Sequence, residues 1–450
     1  MKKQWANHPP KNMIMQMNAF IKNLQTPIAI VGMGKSGEAA RRLLIQAGIT
    51  PNSIVTFDAK LISANFQDPT ILMAQVQPRT LIVSPGVPLA TPWIALARQQ
   101  GVRITSELSL ACSFLTTEKL IGVTGSVGKS TTVSLLGAGL QAFSSSSFVG
   151  GNLGTPFADY AADIVEEKRP PADWVVLELS SYQLENCENL NLNYGAITYF
   201  SPNHLERYSD LEHYYKTKWT LLNHTQSSVF LNKNGGDLVS YSQTHPALSS
   251  QIPLRIVSKH DPELASLNLT KALLIGEHNQ DNLALASALA LAAGWPHSAI
   301  EAMKSFRGLA HRLENLGEHK GIRFINDSKA TAMESVLIAT AAAHSTLSSG
   351  GTLHLLLGGR DKNLPWENLS TLTGFSPISF TFFGECREIA QKKSRLPGSA
   401  FTQLHEALDA LKAQARPGDT ILLSPGGTSL DEFKSFEDRG GFFKNAATSW

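Results

Sequence analysis

Short apolar runs rich in β-branched residues recur along the chain, each passing through glycine or polar residues into a segment of helical periodicity. The first is Ile28 to Val31, followed by Gly32-x-Gly34-x-x-Gly37 and a stretch that puts Leu43, Leu44 and Ala47 on one helical face. SIVTFD predicts a second strand ending at Asp58, and TLIVSPG a third with Ser84, Pro85 and Gly86 at its carboxyl edge. The pattern restarts at KLIGVTGSVGKSTTVSLLGAGL and continues through the strands WVVLELS and AITYFS to a helical stretch, DNLALASALALAAG. A third series, IRFIND, TLHLLLGG, ISFTFFG and TILLSPGG, follows FRGLAHRLE. Strands that alternate with helical segments predict an α/β fold, here in three domains in series. The expected boundaries are a leader over 1–26, an N-terminal domain over 27–116, a central domain over 117–310 and a C-terminal domain over 311–450. Ser144 to Ser147 reads as a loop.

At 450 residues the chain exceeds what one core usually organises. Its 39 basic and 37 acidic residues leave no strong field and no basic arm, so nucleic acid is not an expected partner. Cys112, Cys187 and Cys386 lie far apart without a CxxC spacing, which fits buried thiols in a reducing compartment. The opening residues carry Pro9, Pro10, Asn12 and Asn18 where a signal peptide needs an unbroken apolar core. No stretch reaches the roughly 18 to 20 apolar residues of a membrane span. A soluble cytoplasmic protein without membrane insertion is expected.

Gly125-Ser126-Val127-Gly128-Lys129-Ser130-Thr131 follows a strand and opens a helix, where backbone N–H groups and the helix start can cradle phosphates. It is a short GxxGKS loop rather than a full Walker A. Lys129 would neutralise β- and γ-phosphates and the Ser130 hydroxyl would meet Mg²⁺; the bland alternative is a glycine turn before a helix. Glu178, at the end of an apolar strand, is placed to complete a magnesium shell, although strand-end carboxylates are more often solvated. The first glycine turn, with Asp58 about 21 residues beyond its last glycine, reads by itself as a dinucleotide fingerprint, so a hydride-transfer enzyme is a rival. On spacing alone its ligand stays open. The clusters Asn203-His204-Leu205-Glu206-Arg207, Lys216 with Lys218, His278-Asn279 with Asn282, His311-Arg312 and Asn326-Asp327-Ser328-Lys329 are each weak signals.

Taken in order, the segments GVTGSVGKST, VGGNLGTPF, ELSSYQLE, the His204 and Lys218 region, HNQDN, GLAHRLE, INDSKATA and SPGGTSLDEFKSFEDRGGFF resemble the Mur ligase family over about Ile28 to Phe443. The resemblance implies Rossmann-like N- and C-terminal domains around a central P-loop ATPase-like domain. It implies ATP-dependent joining of D-glutamate to UDP-N-acetylmuramoyl-L-alanine through an acyl phosphate, in peptidoglycan precursor synthesis, by a monomer. Under it, Lys35, Ser36, Asp58, Lys60, Ser84, Pro85, Gly86 and Asn152 become UDP-substrate candidates. Gly125, Ser126, Gly128, Lys129, Ser130, Thr131, Asn282, Arg312 and Asp327 become ATP candidates, and Thr331, Lys362, Ser429 and Phe436 a D-glutamate pocket. One Mg²⁺ would sit at Ser130 and Glu178, a second at His204 and a Lys218 carbamylated by CO₂; Lys129, Glu178, His204 and Lys218 carry the catalysis. Val127, Asn203, Glu206 and Ala332 depart from the family pattern without removing a magnesium ligand or the phosphate lysine. With Val127 as its only support, a UDP-precursor sensor without turnover is a further alternative.

Overall fold

The structure is a computed structural model that describes residues 24–202, 207–245, 252–361 and 364–450. It divides into two compact units, the first taking in the described residues of Met1–Leu264 and Ala284–Ile300, the second Ala265–Leu283 and Glu301–Trp450.

The first unit holds two sheets. One is four-stranded and parallel, in the order β2 (Ile54–Phe57), β1 (Ile28–Val31), β3 (Thr80–Val83), β4 (Arg103–Thr105). Its strands alternate faces: Ile28 and Ile30 enter one apolar cluster, Ala29 and Val31 another with Leu81, Val83 and Ile94. Burial on both faces is why these segments read as continuous apolar runs. Leu24 is buried, and the Gln25 carbonyl accepts the Thr80 hydroxyl at 2.8 Å, so the chain is tied to this sheet ahead of β1.

The second sheet is six-stranded and parallel, in the order β10 (Leu254–Val257), β9 (Thr225–Asn232), β8 (Leu192–Ile197), β5 (Lys119–Thr124), β7 (Trp174–Glu178), β6 (Ser147–Gly151). After β5 the chain lays β6 and β7 on one side and β8, β9 and β10 on the other. The connections therefore diverge between β5 and β8, and the crevice at those carboxyl ends is where open α/β sheets bind ligands. Helix Lys35–Gln46 packs on helix Phe157–Val165, and Leu43 and Leu44 share one core with Phe157, Tyr160 and Ala161. Ser147 opens β6, so the expected serine loop is shorter by that residue: Phe148 alternates into the core and draws it into the strand.

The second unit carries a six-stranded sheet in the order β11 (Glu314–His319), β12 (Ile322–Asn326), β16 (Thr420–Gly426), β13 (Leu353–Gly358), β14 (Ile378–Phe383), β15 (Ser399–Phe401), with only β11 antiparallel. Leu353, Leu355 and Leu357 pack on one face and Leu356 on the other. DNLALASALALAAG lies mostly in helix Glu277–Ala292. Among the described residues no helix is long and apolar enough to cross a membrane.

Candidate active site

Gly125 and Gly128, on the turn from β5 into helix Lys129–Gln141, adopt φ of +146° and +85°. A Cβ on Gly125 would lie 2.1 Å from Thr198 Oγ1, so only glycine fits this approach to the end of β8. The Ser126 N–H donates to Tyr199 O at 2.7 Å, and its hydroxyl to Ser201 O at 3.0 Å. The loop is thus fixed at the crevice. Lys129 folds back, its Nζ donating to Gly125 O at 2.8 Å and Ser126 O at 3.2 Å. Val127 is 55% exposed and anchors the loop through its backbone carbonyl, which accepts the Thr198 hydroxyl, so a departure in this side chain leaves the loop's anchors untouched.

Two groups converge on this loop from elsewhere in the sequence. Lys218, on helix Leu211–Trp219, is 2% exposed and donates from Nζ to Gly125 O at 3.0 Å. Burial holds its pKa well below that of an ordinary lysine, the charge of Lys129 pushes it the same way, and only Glu178 opposes. Glu178, 3% exposed at the end of β7, accepts the Asn152 side-chain N–H on Oε1 at 2.6 Å. Its Oε2 is buried without a hydrogen-bond partner. An anionic oxygen so placed calls for a cation, and Mg²⁺, which keeps waters and substrate phosphates in its shell, needs few protein ligands. Among the described residues no group of three or more His, Cys, Asp or Glu is placed to hold a metal. His204, expected as a ligand, lies outside the described residues, as do Asn203 and Glu206.

The first sheet gathers Asp58, Lys60 and Ser84 around the first glycine turn. Ser84 Oγ donates to Gly32 O at 2.7 Å; Asp58 Oδ2 accepts the Met33 N–H at 2.9 Å and Oδ1 those of Lys60 and Leu61 at 2.9 and 3.2 Å. These bonds, that from Met33 foremost, hold the Asp58 pKa below its usual value. Oδ2 thus ties the glycine turn to the end of β2, and Oδ1 shapes the loop that follows β2. Lys35 and Ser36 open helix Lys35–Gln46, and an open cavity of about 650 Å³ is lined by Met33, Gly34, Lys35, Arg42, Thr155 and Asp159. Pro85 and Gly86 follow Ser84 in the loop after β3. Asn152, expected at the UDP substrate, donates its side-chain N–H to Glu178.

In the second unit Asp327 is buried at the end of β12, where desolvation pushes its pKa up to about 7 against hydrogen bonds from Ser424 Oγ (2.9 Å) and Leu313 N (3.1 Å) and the charge of Arg312. Buried Asn282 donates to Asn279 Oδ1 at 3.3 Å. Ser429 is buried, Thr331 exposed, and the Lys329 ammonium stands 4.9 Å from the Phe436 ring. Lys362 lies outside the described residues. Sequence reasoning did not single out Arg439. Fully buried, it donates to Ser328 Oγ (3.0 Å), Ser328 O (2.8 Å) and Gly427 O (3.2 Å), joining the loop after Asp327 to that before Ser429. An arginine between acidic residues and glycines gives no pattern signal of burial.

A phosphate loop at a topological switch point, flanked by a buried carboxylate and a buried amine, defines a P-loop nucleotide-handling α/β protein. Residues 123–290 match the Mur ligase middle domain. Over 456 residues the chain is 33% identical to the UDP-N-acetylmuramoylalanine--D-glutamate ligase of Myxococcus xanthus, covering 93% of this chain and 97% of that one. It is also 33% identical over 441 residues to the ligase of the same name from Pasteurella multocida, again covering 93% and 97%. The MurF ligase of Thermotoga maritima, solved in complex with ADP, shares the fold at a TM-score of 0.53 and 13% identity, over 95% of this chain and 96% of that one. The chain belongs to the Mur ligase family.

Proposed function

We propose that the protein joins D-glutamate to UDP-N-acetylmuramoyl-L-alanine with ATP as phosphoryl donor, releasing ADP and phosphate, in peptidoglycan precursor synthesis. The observation that carries the chemistry is the buried, unpartnered Oε2 of Glu178, in a unit where Lys129 and Lys218 both bond the phosphate-loop carbonyl of Gly125.

In this reading Lys129 leaves the carbonyls of Gly125 and Ser126 for the β- and γ-phosphates, while the N–H groups of Gly125 through Thr131 cradle them. Ser130 and Glu178 hold one Mg²⁺, with Asn152 orienting the Glu178 carboxylate. Lys218, whose charged form burial disfavours, adds CO₂ as the neutral amine and loses a proton to give a carbamate, an anionic oxygen that would serve with His204 as ligand for a second Mg²⁺. The metals supply neutralisation where one anion attacks another. The alanyl carboxylate attacks the γ-phosphorus and ADP leaves; the amine of D-glutamate then attacks the acyl phosphate carbon, a tetrahedral intermediate forms, and phosphate departs. Lys35, Ser36, Asp58, Lys60 and Ser84 to Gly86 hold the UDP. Asn282, Arg312 and Asp327 hold the adenosine and phosphates, and Thr331, Lys362, Ser429 and Phe436 the D-glutamate, whose two carboxylates call for cationic and hydroxyl donors.

Three functional domains, bounded near residues 116 and 310, working as a cytoplasmic monomer, complete the proposal. Hydride transfer and a sensor without turnover are not favoured by the curated relatives, which are ligases by name. The test is phosphate release from ATP and Mg²⁺ with UDP-N-acetylmuramoyl-L-alanine. Release with D-glutamate and not with L-glutamate supports the reading; NAD-dependent turnover, or precursor binding without release, refutes it.

A further inference from the structure

Arg207 stands where two ligand-handling segments of the first unit meet, and the described proposal gives it no task. Its side chain is 8% exposed. Nε and Nη2 donate to Glu185 Oε1 and Oε2 at 3.2 and 2.7 Å, a bidentate pair, and the guanidinium lies 4.0 Å from the Tyr182 ring centroid. On the other side Nη1 donates to Pro85 O at 2.9 Å and Nη2 approaches Val87 O at 3.5 Å. Pro85 and Val87 follow β3 of the first sheet. Tyr182 and Glu185 follow Glu178, on a turn set by the reciprocal Ser180 and Gln183 capping bonds.

We propose that Arg207 is a positioning residue that fixes the spacing between the UDP-holding loop and the cation carboxylate Glu178. The inference rests on the UDP reading of Ser84 to Gly86. One planar guanidinium engages a carboxylate, an aromatic face and the carbonyl groups of a loop at once, in directions set by its own covalent frame. A lysine ammonium lacks that fork and cannot hold both segments together. The spacing matters because the substrate spans it: the nucleotide end is held at β3, and the reacting carboxylate must arrive at the γ-phosphate near Glu178. A misplacement of about 1 Å there costs on the order of a hundredfold in rate.

The experiment compares wild type with Arg207→Lys and Glu185→Gln. It reads kcat and KM for UDP-N-acetylmuramoyl-L-alanine, KM for ATP, binding of UDP alone by calorimetry, and the thermal midpoint. The expected result for Arg207→Lys is a loss of ~100-fold in kcat/KM for the UDP precursor, with UDP binding and KM for ATP near wild type and a weaker loss of the same kind in Glu185→Gln. Wild-type turnover by Arg207→Lys overturns the inference, as does a fall in UDP binding, ATP binding and thermal midpoint together, which would mark a merely structural arginine. If the wild-type protein binds no UDP, the substrate reading itself fails, and this inference with it.

Discussion

Glu107 is a buried carboxyl whose cost can be read from the pH dependence of stability. It is 1% exposed and accepts the Ala158 N–H at 2.5 Å, at the start of helix Phe157–Val165. Burial pushes its pKa from 4.5 up to about 7, against the opposing hydrogen bonds of Ala158 and Phe157. Between those two values the folded protein keeps a proton that the unfolded chain has lost, so stability falls as pH rises through the window and stays lower above it. The shift corresponds to about 3 kcal/mol, of which about 2.5 kcal/mol falls between about pH 5 and about pH 8. Glutamine keeps an acceptor for Ala158 and cannot ionise. Urea unfolding of wild type and Glu107→Gln across this range should therefore show the variant gaining about 2.5 kcal/mol on the wild type as pH rises. A stability difference that stays constant with pH would refute the reasoning, because Glu107 would then titrate alike in the folded and unfolded chains.

Glu178→Gln removes the anionic oxygen proposed for Mg²⁺; kcat should fall by on the order of a thousandfold, while calorimetry finds precursor binding intact. Asp327, held near 7 by burial, should bind a ribose hydroxyl better when ionised, so KM for ATP should rise as pH falls through about 7, and Asp327→Asn should flatten that profile. Arg42 pairs with Asp159 (3.1 Å), Asp163 (2.5 Å) and Glu166 (2.7 Å) but is 30% exposed, so Arg42→Ala should cost only about 1 kcal/mol in unfolding, and less in high salt.

The sheet cores were legible because their strands are buried on both faces: Ile28 to Val31, Trp174 to Leu177 and Leu355 to Leu357 are continuous apolar runs. The strands not foreseen lack that signal. β9 carries Gln226, Ser227 and Ser228 on its exposed half, β11 is ENLGEH at a sheet edge, and β15 has only three residues. In the site, Lys129 and Glu178 could be read locally, since a strand-to-helix glycine turn and a strand-end carboxylate are both patterns in the sequence. Lys218 could not: LEHYYKTKW gives Lys216 and Lys218 alike, and only folding buries one beside Gly125. Glu107 and Arg207 were hidden for the same reason, each a charge whose partners lie far along the chain. Asp58 was legible as an important acid, but not its local task, because the N–H groups of Met33, Lys60 and Leu61 that its oxygens hold carry no pattern in the sequence.

In the proposed reaction the site activates the substrate carboxylate by phosphoryl transfer. The decisive measurement uses UDP-N-acetylmuramoyl-L-alanine carrying ¹⁸O at both oxygens of the alanyl carboxylate, with ATP, Mg²⁺ and D-glutamate, and mass analysis of the phosphate released. The account predicts one ¹⁸O in each phosphate, with transfer lost in Glu178→Gln. Phosphate free of ¹⁸O at normal turnover would mean that water, not the carboxylate, attacks ATP, and would contradict it.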